Sequence, residues 1–246
     1  MGITFKGQHP TWGRGKKASL TGNQTESHYY YWWEFLRRND DYAACCAAGG
    51  TGELAGLYEK FGDVLNDTFK DWWNQNSRGY HLFAEERKPV QLKELNDPSE
   101  WDSSWAKDHA MVVVVPLDIP KRYIQGFFAR LLKERHKGER GRKALSDKDA
   151  STARFPLHRN VSVGTLAKQL AVYDAVMAKK QGKDKRTLAK IGADLELVED
   201  AMPNSKDDLD TAMDKRNVMS ATVSRYFRQA QRIVANTAKG QFPNSD

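Results

Sequence analysis

Arg225, Arg228 and Arg232 stand at i, i+3 and i+7, so on a helix they project from one face. A guanidinium is a planar fork of donors that fits phosphate oxygens and the O6/N7 edge of guanine. Arg216, Asn217, Ser220, Ser224 and Gln229 lie on the same stretch and supply further groups able to bond bases or phosphates. A second basic set lies upstream: Lys121, Arg122, Arg130, Lys133, Arg135, Lys137, Arg140, Arg142 and Lys143. Only Glu134 and Glu139 oppose these nine, so 121–143 nets +7, equal to the formal charge of the whole chain. Such a concentration is the electrostatic footprint of a polyanion binder. The competing reading is a solvated helix face followed by a flexible basic linker. If both sets act on DNA, the upstream one supplies affinity by counterion release and the downstream one discriminates.

The elements that must hold the downstream set are helical. Val163, Leu166, Leu170, Tyr173 and Met177 form one apolar stripe; Leu188, Ile191, Leu195 and Val198 form a second; Met219, Val223, Tyr226, Ala230 and Ile233 form a third. The spacing predicts a helix ending near Gln181, a short amphipathic helix over 187–197 and a long one over about 214–238. That succession is the pattern of a helix-turn-helix module spanning 161–240, with the last helix as reader. Gly192 and Ala193 would let the reader pack closely across the short helix, with Val223 and Ala230 filling the inward positions. The polar insert after Leu197 departs from a simple motif, which has only a few residues there. The plainer alternative is a three-helix bundle with a solvated arginine face. One helix reads few base pairs, so a homodimer is expected of a regulator, for which the aromatic N-terminal helices could supply the interface; a monomer is the alternative.

The first part of the chain reads as an α/β module over 28–136, so the fold class expected is α+β. Tyr29, Trp32, Trp33 and Leu36 share a face of a helix over 28–46, and Gly49-Gly-Thr-Gly52 breaks it. Leu57, Phe61, Leu65, Phe69 and Trp72/Trp73 suggest a second helix over 54–74, packed antiparallel on the first. These rings read as core; the alternative is a stacking platform for single-stranded nucleic acid. Strands are expected at 80–84, 90–95 and 111–115. They would be covered by a helix after Pro120 that turns Tyr123, Phe127 and Leu131 inward. Residues 1–27 read as a flexible basic tail, with Arg14, Lys16 and Lys17 available to phosphates, and 137–160 as a basic linker. Gly13-Arg-Gly-Lys16 lacks the spacing of a phosphate-binding loop.

Catalysis leaves little trace. Glu86-Arg-Lys88 spells half of a metal-dependent nuclease site, but its partner aspartates, Asp63, Asp67 and Asp71, fall on or beside a predicted helix. Cys45 and Cys46 are adjacent, which suits neither a disulfide nor a structural zinc site. The six histidines are scattered, with no His-x3-His pair. No catalytic residue, metal or cofactor is therefore expected. The longest apolar run is Met111–Val115, too short to span a bilayer. The N-terminus has no apolar signal core, and Lys6 occupies the place where a myristoylation motif wants Ser or Thr. A cytoplasmic, nucleoid-associated protein is expected.

Tyr29-Tyr-Tyr-Trp-Trp-Glu-Phe-Leu-Arg-Arg-Asn39, Leu57-Tyr-Glu-Lys-Phe-Gly-Asp-Val64 and Phe69-Lys-Asp-Trp-Trp73 resemble segments of bacterial proteins from prophages and integrative elements. Val223-Ser-Arg-Tyr226 and the closing Ala235-Asn-x3-Gly-x-Phe-Pro243 are similar to the same set. The resemblance covers most of the chain. It implies a bacterial mobile element and a DNA-binding or regulatory role, and offers no catalytic residue to carry over; double-stranded DNA as partner is expected from the arginine face and the basic segment. The alternative partner is a protein or ribonucleoprotein met in phage–host conflict.

Overall fold

Caps written into the sequence set most helix boundaries in the computed structural model, which describes residues 3–13, 22–86, 97, 99, 113–135 and 151–246. α1 (His28–Arg37) opens where the Ser27 hydroxyl accepts from the Tyr29 amide. α2 (Asp40–Ala47) follows almost at once, because the Asn39 side chain caps it by accepting from the Tyr42 amide at 2.8 Å. Asp40 and Asp41 then sit at the positive end of the α2 dipole. The 28–46 stretch is therefore two helices, not one. The expected helix over 54–74 is likewise divided. α3 (Ala55–Phe61) ends at Gly62, whose φ of 66° few other residues adopt. α4 (Phe69–Asn74) restarts on a Thr68 cap.

Left-handed Asn76 and Ser77 reverse the chain into α5 (Arg78–Phe83). The strand expected at 80–84 is thus a helix for most of its length. Gly79 allows this, since the Trp73 ring lies where a Cβ would stand. Only then does β2 (Ala84–Glu86) pair antiparallel with β1 (Ile3–Phe5), in the register Phe5↔Ala84 and Ile3↔Glu86. The expectation of a flexible 1–27 tail is corrected accordingly: β1 lies within it, and Phe5 and Trp12 pack on the core. Val113–Val115 lies in no strand and Val114 is 89% exposed. Met111, Val112, the strand expected at 90–95, and Arg14, Lys16 and Lys17 lie outside the described residues.

Downstream, α7 (Val163–Lys180) is capped by Ser162, α8 (Leu188–Asp194) by Thr187 and α9 (Leu209–Thr237) by Asp208. The three stripes read from sequence become the packed faces. Leu166, Ile191, Met219, Val223, Ala230 and Ile233 are buried; Phe227 takes the deep position expected of Tyr226, which is half-buried.

The chain divides into two compact units, residues 1–86 with 151–246, and residues 87–150. The sequence reading draws the boundaries elsewhere, with an N-terminal module over 28–136 and a C-terminal module over 161–240. The physical reason for the observed division is a shared core. Trp32, Phe35, Phe61, Trp72 and Phe83 pack in one cluster with Leu166, Leu170, Ala230, Ile233 and Phe242. A buried tryptophan removes about 150–250 Å² from water, gross ~4–6 kcal/mol, so this cluster dominates the unit. Val172, Val176, Ile191, Val223 and Phe227 form a second, mainly aliphatic cluster between α7, α8 and α9.

Polar contacts join the two halves of the first unit. Arg38 makes a bidentate pair with Asp174, 2.6 Å on each arm, and holds Glu34 at 2.5 Å. The segment entering from residue 151 is pinned at both ends. Glu85 accepts from the Ser151 hydroxyl and from the amides of Thr152 and Ala153. Burial alone would raise the Glu85 carboxyl, but these bonds outweigh it and hold it below the usual carboxylate range. At the other end His28 Nε2 donates to the Val161 carbonyl at 2.9 Å. Burial pushes this imidazole below its ordinary value, against the pull of that carbonyl. The closing residues return to the same place: Phe242 is fully buried, and its carbonyl accepts from the His158 amide at 2.7 Å.

In the second unit the described helix is α6 (Lys121–Arg135), none of whose residues is buried. Tyr123 and Phe127, expected to face inward, are 58% and 67% exposed. No helix among the described residues is long and apolar enough to cross a membrane. At the coarse level the molecule is mostly helical with a small two-stranded antiparallel sheet.

Candidate nucleic-acid interface

α9 carries the arginines because its opposite face is fixed twice. Its first half lies over α8, and Gly192 makes the approach possible: a Cβ there would collide with Met219 and Val223. This is the role expected of that glycine. Its second half enters the aromatic cluster through Ala230, Ile233 and Val234. A helix held along both halves presents its outer side chains from a rigid base.

On that outer face Arg225, Arg228 and Arg232 are all exposed, as are Arg216 and Asn217. Arg225 lies beside the Tyr226 ring, 5.6 Å from its centre, and Arg228 donates weakly to the Ser224 carbonyl at 3.4 Å. Neither is ion-paired among the described residues. Arg232 is partly engaged, donating to the Ser245 carbonyl at 3.2 Å. The other expected groups are less available. Ser224 is half-buried and donates to the carbonyl of Ser220, and Gln229 accepts from Gln169 at 3.0 Å, between α7 and α9. Ser220 is half-buried.

The outer face is also graded in charge. Asp210 and Asp214 fall on the side of Asn217, Arg225 and Arg228, in the first turns of α9, and both are exposed. They suit the positive end of a helix dipole but repel phosphate. Any polyanion contact is therefore confined to the middle and last turns.

A basic cluster at the α7–α8 corner escaped the sequence reading. Lys179, Lys180, Lys183, Lys185, Arg186 and Lys190 share the stretch 179–190 with one acidic residue, Asp184. Arg186 is taken up by Asp184 and Asp194, at 2.6 and 2.9 Å, and Lys190 by Asp194. Lys180, Lys183 and Lys185 stay exposed, and Lys180 Nζ lies 4.5 Å from the centre of the Phe227 ring, beside Arg228 in sequence. The signal was present in the sequence. It was hidden because everything outside 121–143 sums to zero, so a local excess vanished into the total.

Of the upstream set, Lys121, Arg122, Arg130, Lys133 and Arg135 are exposed on α6. Lys137, Arg140, Arg142 and Lys143 lie outside the described residues. As for the nuclease half-site, Glu86 ends β2 and Lys88 lies outside the described residues, while Asp63 is spent on the amides of Leu65 and Asn66. No cluster of His, Cys, Asp or Glu able to hold a metal occurs among the described residues. No protein-family model, curated protein or solved structure matches the chain.

Proposed function

We propose that this chain is a sequence-preferring double-stranded DNA-binding protein, a regulator or maintenance factor of a bacterial mobile element, working in the cytoplasm at the nucleoid. One observation carries the reading: Arg225 and Arg228 stand exposed, and free of ion pairs among the described residues, on a helix braced against α8 and the aromatic core. Fixed guanidiniums of this kind can enter a major groove and fork onto guanine or grip phosphate. The exposed lysines of the α7–α8 corner and of α6 would add sequence-independent affinity. The mobile-element setting rests on the resemblance of the Tyr29–Asn39 and C-terminal segments.

A gel-shift titration tests this. Duplex binding should weaken steeply with salt. Arg225→Ala with Arg228→Ala should lower it roughly tenfold or more, at about 1–3 kcal/mol per forked contact, without changing the melting temperature. Unchanged binding in that double variant removes α9 as the reader. A second reading, docking onto a protein, is favoured by Leu209 and Met213, which are 83% and 58% exposed in the acidic first turns of α9. It predicts binding that survives the arginine pair and is lost on Leu209→Ser.

A further inference from the structure

α6 sets rings and guanidiniums side by side. Tyr123 and Phe127 are one helical turn apart and more than half exposed. The Arg122 guanidinium lies 5.1 Å from the centre of the Tyr123 ring, and that of Arg130 lies 5.6 Å from the Phe127 ring. Lys121, Lys133 and Arg135 add charge, and Glu134 is the one acidic residue of the helix.

The pattern of exposure separates two occupants. Ile124, Phe128 and Leu131, the middle of the apolar arc, are half-buried, whereas Tyr123, Phe127 and Leu132 at its flanks are exposed. A lipid surface would take up that middle. Most open is the flank where rings adjoin cations. A single strand of nucleic acid needs that combination, with π-faces for its bases and positive charge for its phosphates. The spacing agrees. One helical turn is about 5.4 Å, wider than the roughly 3.4 Å step of a stacked duplex strand, so the two rings suit bases that have come apart.

We propose that α6 is a platform for single-stranded nucleic acid: bases stack on Tyr123 and Phe127, while Arg122, Arg130 and Lys133 hold the backbone. This rests on the reading of the chain as a nucleic-acid binder and gives α6 a strand class that α9 does not have. The test uses the full chain and three probes: a labelled oligothymidylate, a hairpin duplex with closed ends, and phosphatidylcholine–phosphatidylserine vesicles. Tyr123→Ala with Phe127→Ala should lower oligothymidylate affinity by about tenfold or more, leaving duplex affinity and circular dichroism unchanged. Tyr123→Trp with Phe127→Trp should retain binding, with indole fluorescence quenched by the bound strand. Wild-type affinity for the oligothymidylate in the alanine pair overturns the proposal. So does a wild-type chain that takes up vesicles or duplex but no single strand. If neither nucleic acid binds, the proposal falls together with the duplex reading.

Discussion

The aromatic and aliphatic clusters of the first unit share α9 but are assembled differently. The aliphatic one draws on three successive helices, α7, α8 and α9, so the loops it closes, 181–187 and 195–208, are local in sequence. The aromatic one gathers α1, α4 and α5 against α7, the last turns of α9 and the returning Phe242. It buries far more surface and closes far longer loops. The difference assigns separate tasks. The aromatic cluster joins the two ends of the unit, and the aliphatic cluster sets the angle at which α9 shows its arginines.

Breaking that comparison begins with Trp32→Ala. Removing this fully enclosed ring should cost about 3–5 kcal/mol, read as a drop in the urea midpoint. Because α9 is common to both clusters, one cooperative transition is expected; two would show that the clusters are independent. Next, Gly192→Val overfills the α8–α9 contact and should cost about 1–3 kcal/mol. It should also weaken duplex binding by retilting α9, an effect Trp32→Phe should not share. Arg38→Ala removes the cross-link to Asp174 while Glu34 keeps its Arg37 neighbour. With Asp174 half-exposed, about 1 kcal/mol is expected in the same measurement.

Acid should loosen the junction in two stages. The neutral, half-buried His28 favours the folded chain above its ordinary value of 6.5, and that contribution fades as pH falls below it. Glu85 favours the folded chain above 4.5, and its contribution is lost as pH falls through the lower value it has when folded. In urea titrations across pH, Glu85→Gln should remove the second stage and leave the first. The smallest effect on stability belongs to Arg225→Ala with Arg228→Ala, within about 0.5 kcal/mol, although this pair should have the largest effect on duplex binding.

Helical stripes were legible where burial is local. Val223, Ala230 and Ile233 face the core as their spacing predicts, and Gly192 sits where a close crossing requires it. Tyr80-His-Leu-Phe-Ala84 was not legible, because a run that short fits a strand or one turn of helix equally well. The decision came from outside it, in the left-handed pair Asn76–Ser77 and the Trp73 ring over Gly79. Nor does any spacing announce that Phe242 will cover Trp32 and Phe35, since no periodicity links residues so far apart. The arginines of α9 were visible as a face, but the commitment of Ser224 and Gln229 to internal bonds depends on helix geometry and on the α7 neighbour.

The bond from the Asn39 side chain to the Val234 carbonyl spans 195 residues. At ordinary elongation rates that is a wait of roughly 10–40 s on the ribosome. For most of it, the rings of α1, α4 and α5 are already made while their cover from α9 and Phe242 is not. The nascent chain therefore carries an open tryptophan-rich surface, a natural client for chaperones, and expression yield should follow chaperone supply more closely than the stability of the finished protein.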